Sequence, residues 1–254
     1  HSQEFHTSFW GHLGVLHLGD HLLLPDFVAY RHTAMGSPYP HNGVVADLAH
    51  EQGGLIGYVH PYDWSINPAK EKSLSHALPA DVMAGKVDYL EVVGFADHKS
   101  TAEVWYRLLN LGFHLPTGAG TDAMANYASL RGPVGMNRVF LDTGGARDVP
   151  ALKQALREGR SFASNGPLLG LEIDGQHPGA TVTVGAGGRT SYRIALRSQV
   201  AVDHLELVLN GQVVKSFRLT GDRRHLDAQG ELAVPQSGWL LLRAWNDHAD
   251  PQIL

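Results

Sequence analysis

The chain has 254 residues, a formal charge of −5, 43% hydrophobic and 18% charged residues, and no cysteine. This is the balance of a folded protein with room for one large domain or two ordinary ones, and it rules out disulfide staples and thiolate metal sites while leaving the redox compartment open. An acidic chain without a basic run has no electrostatic footprint for nucleic acid, no apolar stretch approaches the roughly 18 residues of a membrane span, and no signal-peptide pattern is visible.

In chain order, Glu4, His6 and His12 in QEFHTSFWGHLGVLHL stand just before an apolar run. NGVVADLAHEQGG places Val44, Val45, Leu48 and Ala49 on one helical face, with Gly53 and Gly54 as the stop. GLIGYVHPYD, Gly54 to Asp63, reads as a buried strand that ends at His60. KVDYLEVVG, Lys86 to Gly94, is a second strand and holds Glu91. STAEVWYRLLNLG predicts a helix with Ser100 as N-cap, Glu103 at the capping-box position and Gly112 as C-cap. NRVFLDT predicts a strand, and DVPALKQALREG a helix opened by Asp148 and closed by Gly159.

Strand alternating with helix predicts a parallel α/β arrangement over residues 1–165. From residue 166 onward the hydrophobic period changes to two. TSYRIALRS, HLELVLNGQVVKSFRLT and WLLLRAW read as strands, Asn210-Gly211 is a hairpin signal, and residues 166–254 are expected to form a small all-β sandwich. Trp239 and Trp245 alternate along these strands and are expected to fill its core.

Histidine is the informative excess: of 16, 12 lie between His1 and His114. Imidazole serves proton transfer and metal ligation, although most of these residues read as surface or hydrogen-bonded structural histidines. α/β proteins carry ligands and catalytic groups at the C-terminal ends of their strands, where His60, Glu91 and Asp122 fall. Carboxylates and imidazoles so placed suit zinc, manganese or iron. Asp122, the single acid in HLPTGAGTDAMANYASLRGP, reads equally as a turn residue or a metal ligand. Glu91 and His6 read first as salt-bridge or surface groups. Arg131 is a candidate oxyanion or anion clamp, with an ordinary loop ion pair as its alternative.

Taken together, GHLGVL, GYVHPYD, VDYLEVVG, LLNLGFHLPTGAGTDA, RGPVGMNRVFL and ALREGRSFASNGPLL resemble the polymerase-and-histidinol-phosphatase (PHP) superfamily of metal-dependent hydrolases, most closely its carbaryl-hydrolase-like branch, over roughly residues 4 to 180. The resemblance implies a partial or distorted (β/α)7 barrel with metal ions at its strand ends. It also implies hydrolysis of a phosphoester or of a carboxyl or carbamate ester. Glu4 matches the metal-bridging glutamate, His12 and His60 match histidine ligands, and Asp122 matches the late aspartate. Ser164 to Leu169 matches the junction that follows the barrel.

The chain departs from that pattern in two places. Met124 stands where a histidine ligand is expected, and a thioether is a poor ligand for a hard ion; Asn126 is a candidate polar group beside it. The His-x-His and Asp-His motifs that open the superfamily would precede His1. The expected function is thus a divalent-metal hydrolase of a small-molecule ester or phosphoester, using a metal-activated water. The alternative is a degenerate scaffold whose β-sandwich serves binding. Strand edges left open by a partial barrel would be covered in a homo-oligomer.

Overall fold

A computed structural model describes residues 1–7, 9–30, 32–62, 77–124, 131–185 and 187–247. Twelve elements come first: β1 (Gln3–Thr7), β2 (Leu13–Leu16), β3 (Phe27–Val28), α1 (Asn42–Glu51), β4 (Leu55–Tyr58), α2 (Leu78–Met83), β5 (Tyr89–Val93), α3 (His98–Asn110), β6 (Thr117–Ala119), β7 (Arg138–Leu141), α4 (Val149–Arg157) and β8 (Ser161–Ser164). Six strands follow: β9 (Leu168–Ile173), β10 (Arg189–Arg197), β11 (His204–Leu209), β12 (Gln212–Ser216), β13 (His225–Ala233) and β14 (Leu240–Trp245).

The expected (β/α)7 barrel is not formed. The first six strands make one open sheet in the order β3-β1-β2-β4-β5-β6, and β7 and β8 pair separately. Only four helices occur among the described residues, so the chain is mostly sheet. The reason begins at Gly11, whose φ of 113° lets the backbone turn back between β1 and β2. That connection is too short for the dozen or more residues of a parallel crossover, so β1 pairs antiparallel with β2, and β2 antiparallel with β4. Parallel pairing is confined to β4–β5, β5–β6 and the short β1–β3 contact.

Alternation along the strands gives the large sheet two faces. Phe5, Leu13, Val15, Ile56, Tyr58, Leu90 and Val92 point into a core closed by Val45 and Ala49 of α1, Leu78 and Val82 of α2, and Val104 and Leu108 of α3. Leu55 and Tyr89 point the other way, against Leu156 of α4 and the partly buried Val139 and Leu141 of β7. Leu48, expected on the inner face of α1, is 44% exposed, and Ala46 is buried instead.

The N-cap of α3 is Asp97 and not Ser100. Its carboxylate accepts from the backbone N–H groups of Lys99 and Ser100 at 3.0 Å each, starting the helix a turn earlier and burying His98. Asp148 and Gly159 bound α4 as read from the sequence, Gly159 at a φ of 67°.

Tyr89 lies flat against the sheet, and a Cβ at Gly14, Gly57 or Gly118 would overlap its ring or hydroxyl. The hydroxyl donates to the Gly14 carbonyl at 3.0 Å. Because Tyr89 is 5% exposed, it has no room to retreat from an added methyl. Gly57→Ala is expected to cost roughly 1–3 kcal/mol, the usual toll of overpacking. Urea unfolding of the two proteins measures this, and equal midpoints would refute the tight fit.

The C-terminal strands form two three-stranded antiparallel sheets, β13-β10-β9 and β12-β11-β14. They face one another across a second core that includes Tyr192, Ile194 and Leu196 of β10 and Leu205 and Leu207 of β11. Asn210 and Gly211 turn the β11–β12 hairpin at φ values of 52° and 84°. The connection at Ser164 to Leu169 is a tight turn in which Ser164 Oγ donates to Pro167 O at 2.6 Å and accepts from Gly166 N–H.

The two tryptophans do not fill this core. The Trp239 ring lies 4.9 Å from that of Tyr106 on α3, and its Nε1–H donates to Asn110 Oδ1 at 2.7 Å. Trp245 stacks on His204 at 3.8 Å and donates to Glu206 Oε2. An indole N–H needs an acceptor when covered, and Asn110 on α3 and Glu206 on β11 provide one where the aliphatic core does not.

Candidate metal centre

On β1, Phe5 and Thr7 are buried in the main core while Glu4 and His6 take the opposite face, as a two-residue period requires. The β1–β2 reversal then returns His12 alongside Glu4. A buried network holds this reversal in place. Asn42, the first residue of α1, donates to the Gly11 carbonyl at 2.8 Å and to Tyr58 Oη at 2.9 Å, and accepts from Thr7 Oγ1 at 2.8 Å. Tyr58 in turn donates to Asp81 Oδ2 at 2.6 Å. Turn, helix and central strand are thereby locked with their buried polar groups satisfied.

His60 follows β4 and completes the group. Its Nε2 and the Nδ1 of His12 both lie 3.0 Å from Glu4 Oε1. One donor atom from each of Glu4, His12 and His60 lies within 4.8 Å of the other two. Ligands at 2.0–2.1 Å around a tetrahedral ion stand roughly 3.3 Å apart, close to the 3.0 Å between each of these nitrogens and Glu4 Oε1, so the carboxylate and the two imidazoles could share a divalent cation. His6 is a third imidazole at the same carboxylate, with Nε2 3.4 Å from Glu4 Oε2, and its ring stacks on Phe27 at 4.4 Å. Nothing in the residue pattern singled out His6 strongly. The two-residue alternation with Glu4 was the available signal.

The electrostatics follow from this crowding. Burial pushes the Glu4 carboxyl up, but hydrogen bonds from His12 and His60 and the charge of His60 outweigh it and hold the group well below the usual carboxylate range. Burial pushes the His60 imidazole down, and the hydrogen bond and charge of Glu4 overcome that, raising it to about 9. Burial dominates at His6 and lowers it.

Glu91 lies beneath His60 and is 6% exposed. Its Oε1 accepts the His60 backbone N–H at 3.0 Å, and its carboxylate rests where a Cβ on Gly94 or Gly120 would sit. Burial raises this carboxyl to about 7, against the opposing hydrogen bond and charge of His60. The bond helps hold His60 at a φ of 29°, a left-handed conformation uncommon for a non-glycine residue. Backbone held in that region accompanies functional sites more than plain structural ones.

Asp122 is also left-handed, at a φ of 52°, but it is not one of the three clustered donors. Its Oδ2 is 2.7 Å from Arg131 Nη1, and burial raises its carboxyl against the charges of His60 and Arg131. Arg131 also lies with its guanidinium 5.0 Å from the Phe95 ring centre and Nη1 3.9 Å from Met124 Sδ. Of the residues that sequence reasoning named, Glu4, His12 and His60 meet around one carboxylate oxygen, and Asp122 pairs with Arg131 while lying near enough to interact with the charge of His60. Asn126 lies outside the described residues. Comparison with known protein families, with curated proteins and with solved structures returns no match.

Proposed function

We propose that the chain is a metal-dependent hydrolase in which Glu4, His12 and His60 hold a divalent cation, zinc, manganese or iron. The convergence of two imidazole nitrogens on one carboxylate oxygen carries this reading; the resemblance to the PHP superfamily points the same way. A divalent ion supplies Lewis acidity that activates water near neutral pH.

The protein's own groups do the rest. Glu4 would contribute the negative charge and His12 and His60 would serve as neutral imidazoles, which requires His60 to give up the proton that Glu4 holds on it. Glu91 fixes the His60 backbone. Arg131, anchored by Asp122, offers guanidinium N–H groups to the oxyanion of a phosphoester or a carboxyl or carbamate ester.

Elemental analysis of the purified chain, beside His60→Ala, tests the reading. About one equivalent of zinc, manganese or iron, lost in the variant, is the expected result. Activity on simple phosphoesters and carboxyl or carbamate esters should depend on that metal. No retained metal after incubation with excess ion would overturn it and turn attention to a binding role for the C-terminal sheets.

A further inference from the structure

α3 meets the C-terminal sheets where Tyr106 lies against Trp239 and Asn110 accepts its indole N–H. Beside that contact is a cavity of about 800 Å3. The volume falls in the range of small-molecule pockets, roughly 300–1,000 Å3. Part of the wall is aromatic. Trp105, Tyr106 and Trp239 border the cavity and are partly exposed, and their ring centres stand 4.9–6.5 Å apart, so they form one contiguous patch.

The rest of the wall is polar, and His98 is its most constrained member. The ring borders the cavity, and the residue is 9% exposed. Its Nε2 lies 2.7 Å from the Gly94 carbonyl. A carbonyl only accepts, so this nitrogen carries the proton. Burial lowers the imidazole against that bond and the charge of Asp97, which keeps the ring neutral. Nδ1 is therefore a bare acceptor, and no group among the described residues donates to it. An acceptor left unpaired at a buried position is costly, and the cavity is the open space from which a donor can arrive.

Asn165 and Gln176 border the same space, and their side-chain amides make no hydrogen bond among the described residues. Each offers both donors and an acceptor. The exposed His114 and His177 add two further imidazoles. The charged neighbours are matched: Arg243 is held 2.8 Å from Glu206 Oε2, and Lys99 and Glu103 on α3 are opposite in sign. A ligand for these walls is uncharged, has an apolar face for the aromatic patch, and carries several groups that both give and accept hydrogen bonds. A sugar ring meets all three demands, with C–H groups on its faces and hydroxyls around its edge.

We propose that this cavity is a binding site for a neutral saccharide of disaccharide size. A sugar hydroxyl donates to His98 Nδ1, the amides of Asn165 and Gln176 bond further hydroxyls, and the aromatic patch takes a C–H face. The site shares no residue with the Glu4, His12 and His60 cluster, so the proposal stands whether or not that cluster holds a metal.

The probes are maltose, cellobiose and lactose, titrated into the full chain by calorimetry and by fluorescence of the lining tryptophans. Adenosine, which also stacks on aromatic rings and bonds amides, is the comparison. One saturable site for at least one of the sugars is expected, with a change in tryptophan emission and adenosine weaker. Asn165→Ala and Gln176→Ala lie outside the strands and helices and should each weaken that sugar about five- to tenfold, the worth of one hydrogen bond. His98→Phe keeps a ring in the buried place and removes the acceptor, with a loss at least as large; the two amide variants carry the test if it does not fold. Leu171→Trp fills the cavity and, with its fold checked by circular dichroism, should abolish binding. No saturable binding of any of the three sugars at the highest soluble concentration, adenosine binding more tightly than all of them, both amide variants binding as the parent does, or undiminished binding to folded Leu171→Trp would each overturn the proposal.

Discussion

Glu4→Gln should weaken zinc binding by about a hundred- to a thousandfold. A four-ligand zinc site distributes roughly 10–16 kcal/mol among its ligands, and Glu4 is the only carboxylate among the three donors that meet here. Glutamine keeps the length and shape of the side chain, so the β1–β2 reversal is preserved. The same change has a second consequence in the metal-free protein. With the Glu4 charge removed, burial acts on His60 with far less opposition, and its pKa should fall from about 9 towards or below the ordinary value of 6.5. Competition with a chromophoric chelator measures the first effect, and nuclear magnetic resonance titration of the His60 ring the second. Unchanged zinc affinity, or an unmoved His60, would show that Glu4 is not the hub of the cluster.

The metal-free protein should be most stable near pH 5 and lose stability up to pH 9. Two buried groups set the direction. Folding raises His60 from 6.5 to about 9, so its contribution is complete below 6.5 and disappears as pH rises through 9. Folding also raises Glu91 from 4.5 to about 7, so the native state prefers the neutral acid, and that advantage disappears between pH 4.5 and 7. In each case the folded state binds the extra proton, and the signs agree.

A shift of this size corresponds to about 3 kcal/mol; the two groups interact, so their effects do not simply add. A chain of this length should lose roughly 6–12 °C of its unfolding temperature for that energy. Calorimetry in a chelator at pH 5, 7 and 9 reads the loss, and Glu91→Gln should remove its lower-pH part. Saturating metal should oppose the trend, because deprotonated ligands bind it better. A flat profile in the chelator would mean that His60 and Glu91 titrate at ordinary values.

The sequence made some of this legible and hid the rest for definite reasons. Glu4, His12 and His60 were named from their resemblance and from the placing of His60 at a strand end. Their meeting was not readable, since His12 and His60 are 8 and 56 residues from Glu4, and only the pairing of β1, β2 and β4 joins them. That pairing was missed because β2 and β4 have four residues each and a short apolar run does not announce its direction. The helical patterns at α1, α3 and α4 suggested crossovers, and crossovers suggested a barrel. The Gly11 reversal defeats that inference. In the C-terminal strands the pattern was plainer: β10 alternates exposed and buried along most of its length, and Asn210-Gly211 makes the turn that its residue types favour. The placing of Trp239 against α3 was hidden because tryptophan suits both a core and a contact between elements, and only the partner of its N–H distinguishes them.

The Tyr89 ring also bears on how this sequence can vary. It spans positions 14, 57 and 118, which lie in three different strands. A larger residue at any of the three is destabilising while the ring remains, and a smaller residue at 89 would leave a void beneath three glycines. The four positions therefore constitute one heritable unit. Drift at one is tolerable only after a change at another, and the viable order of events starts with the loss of the ring.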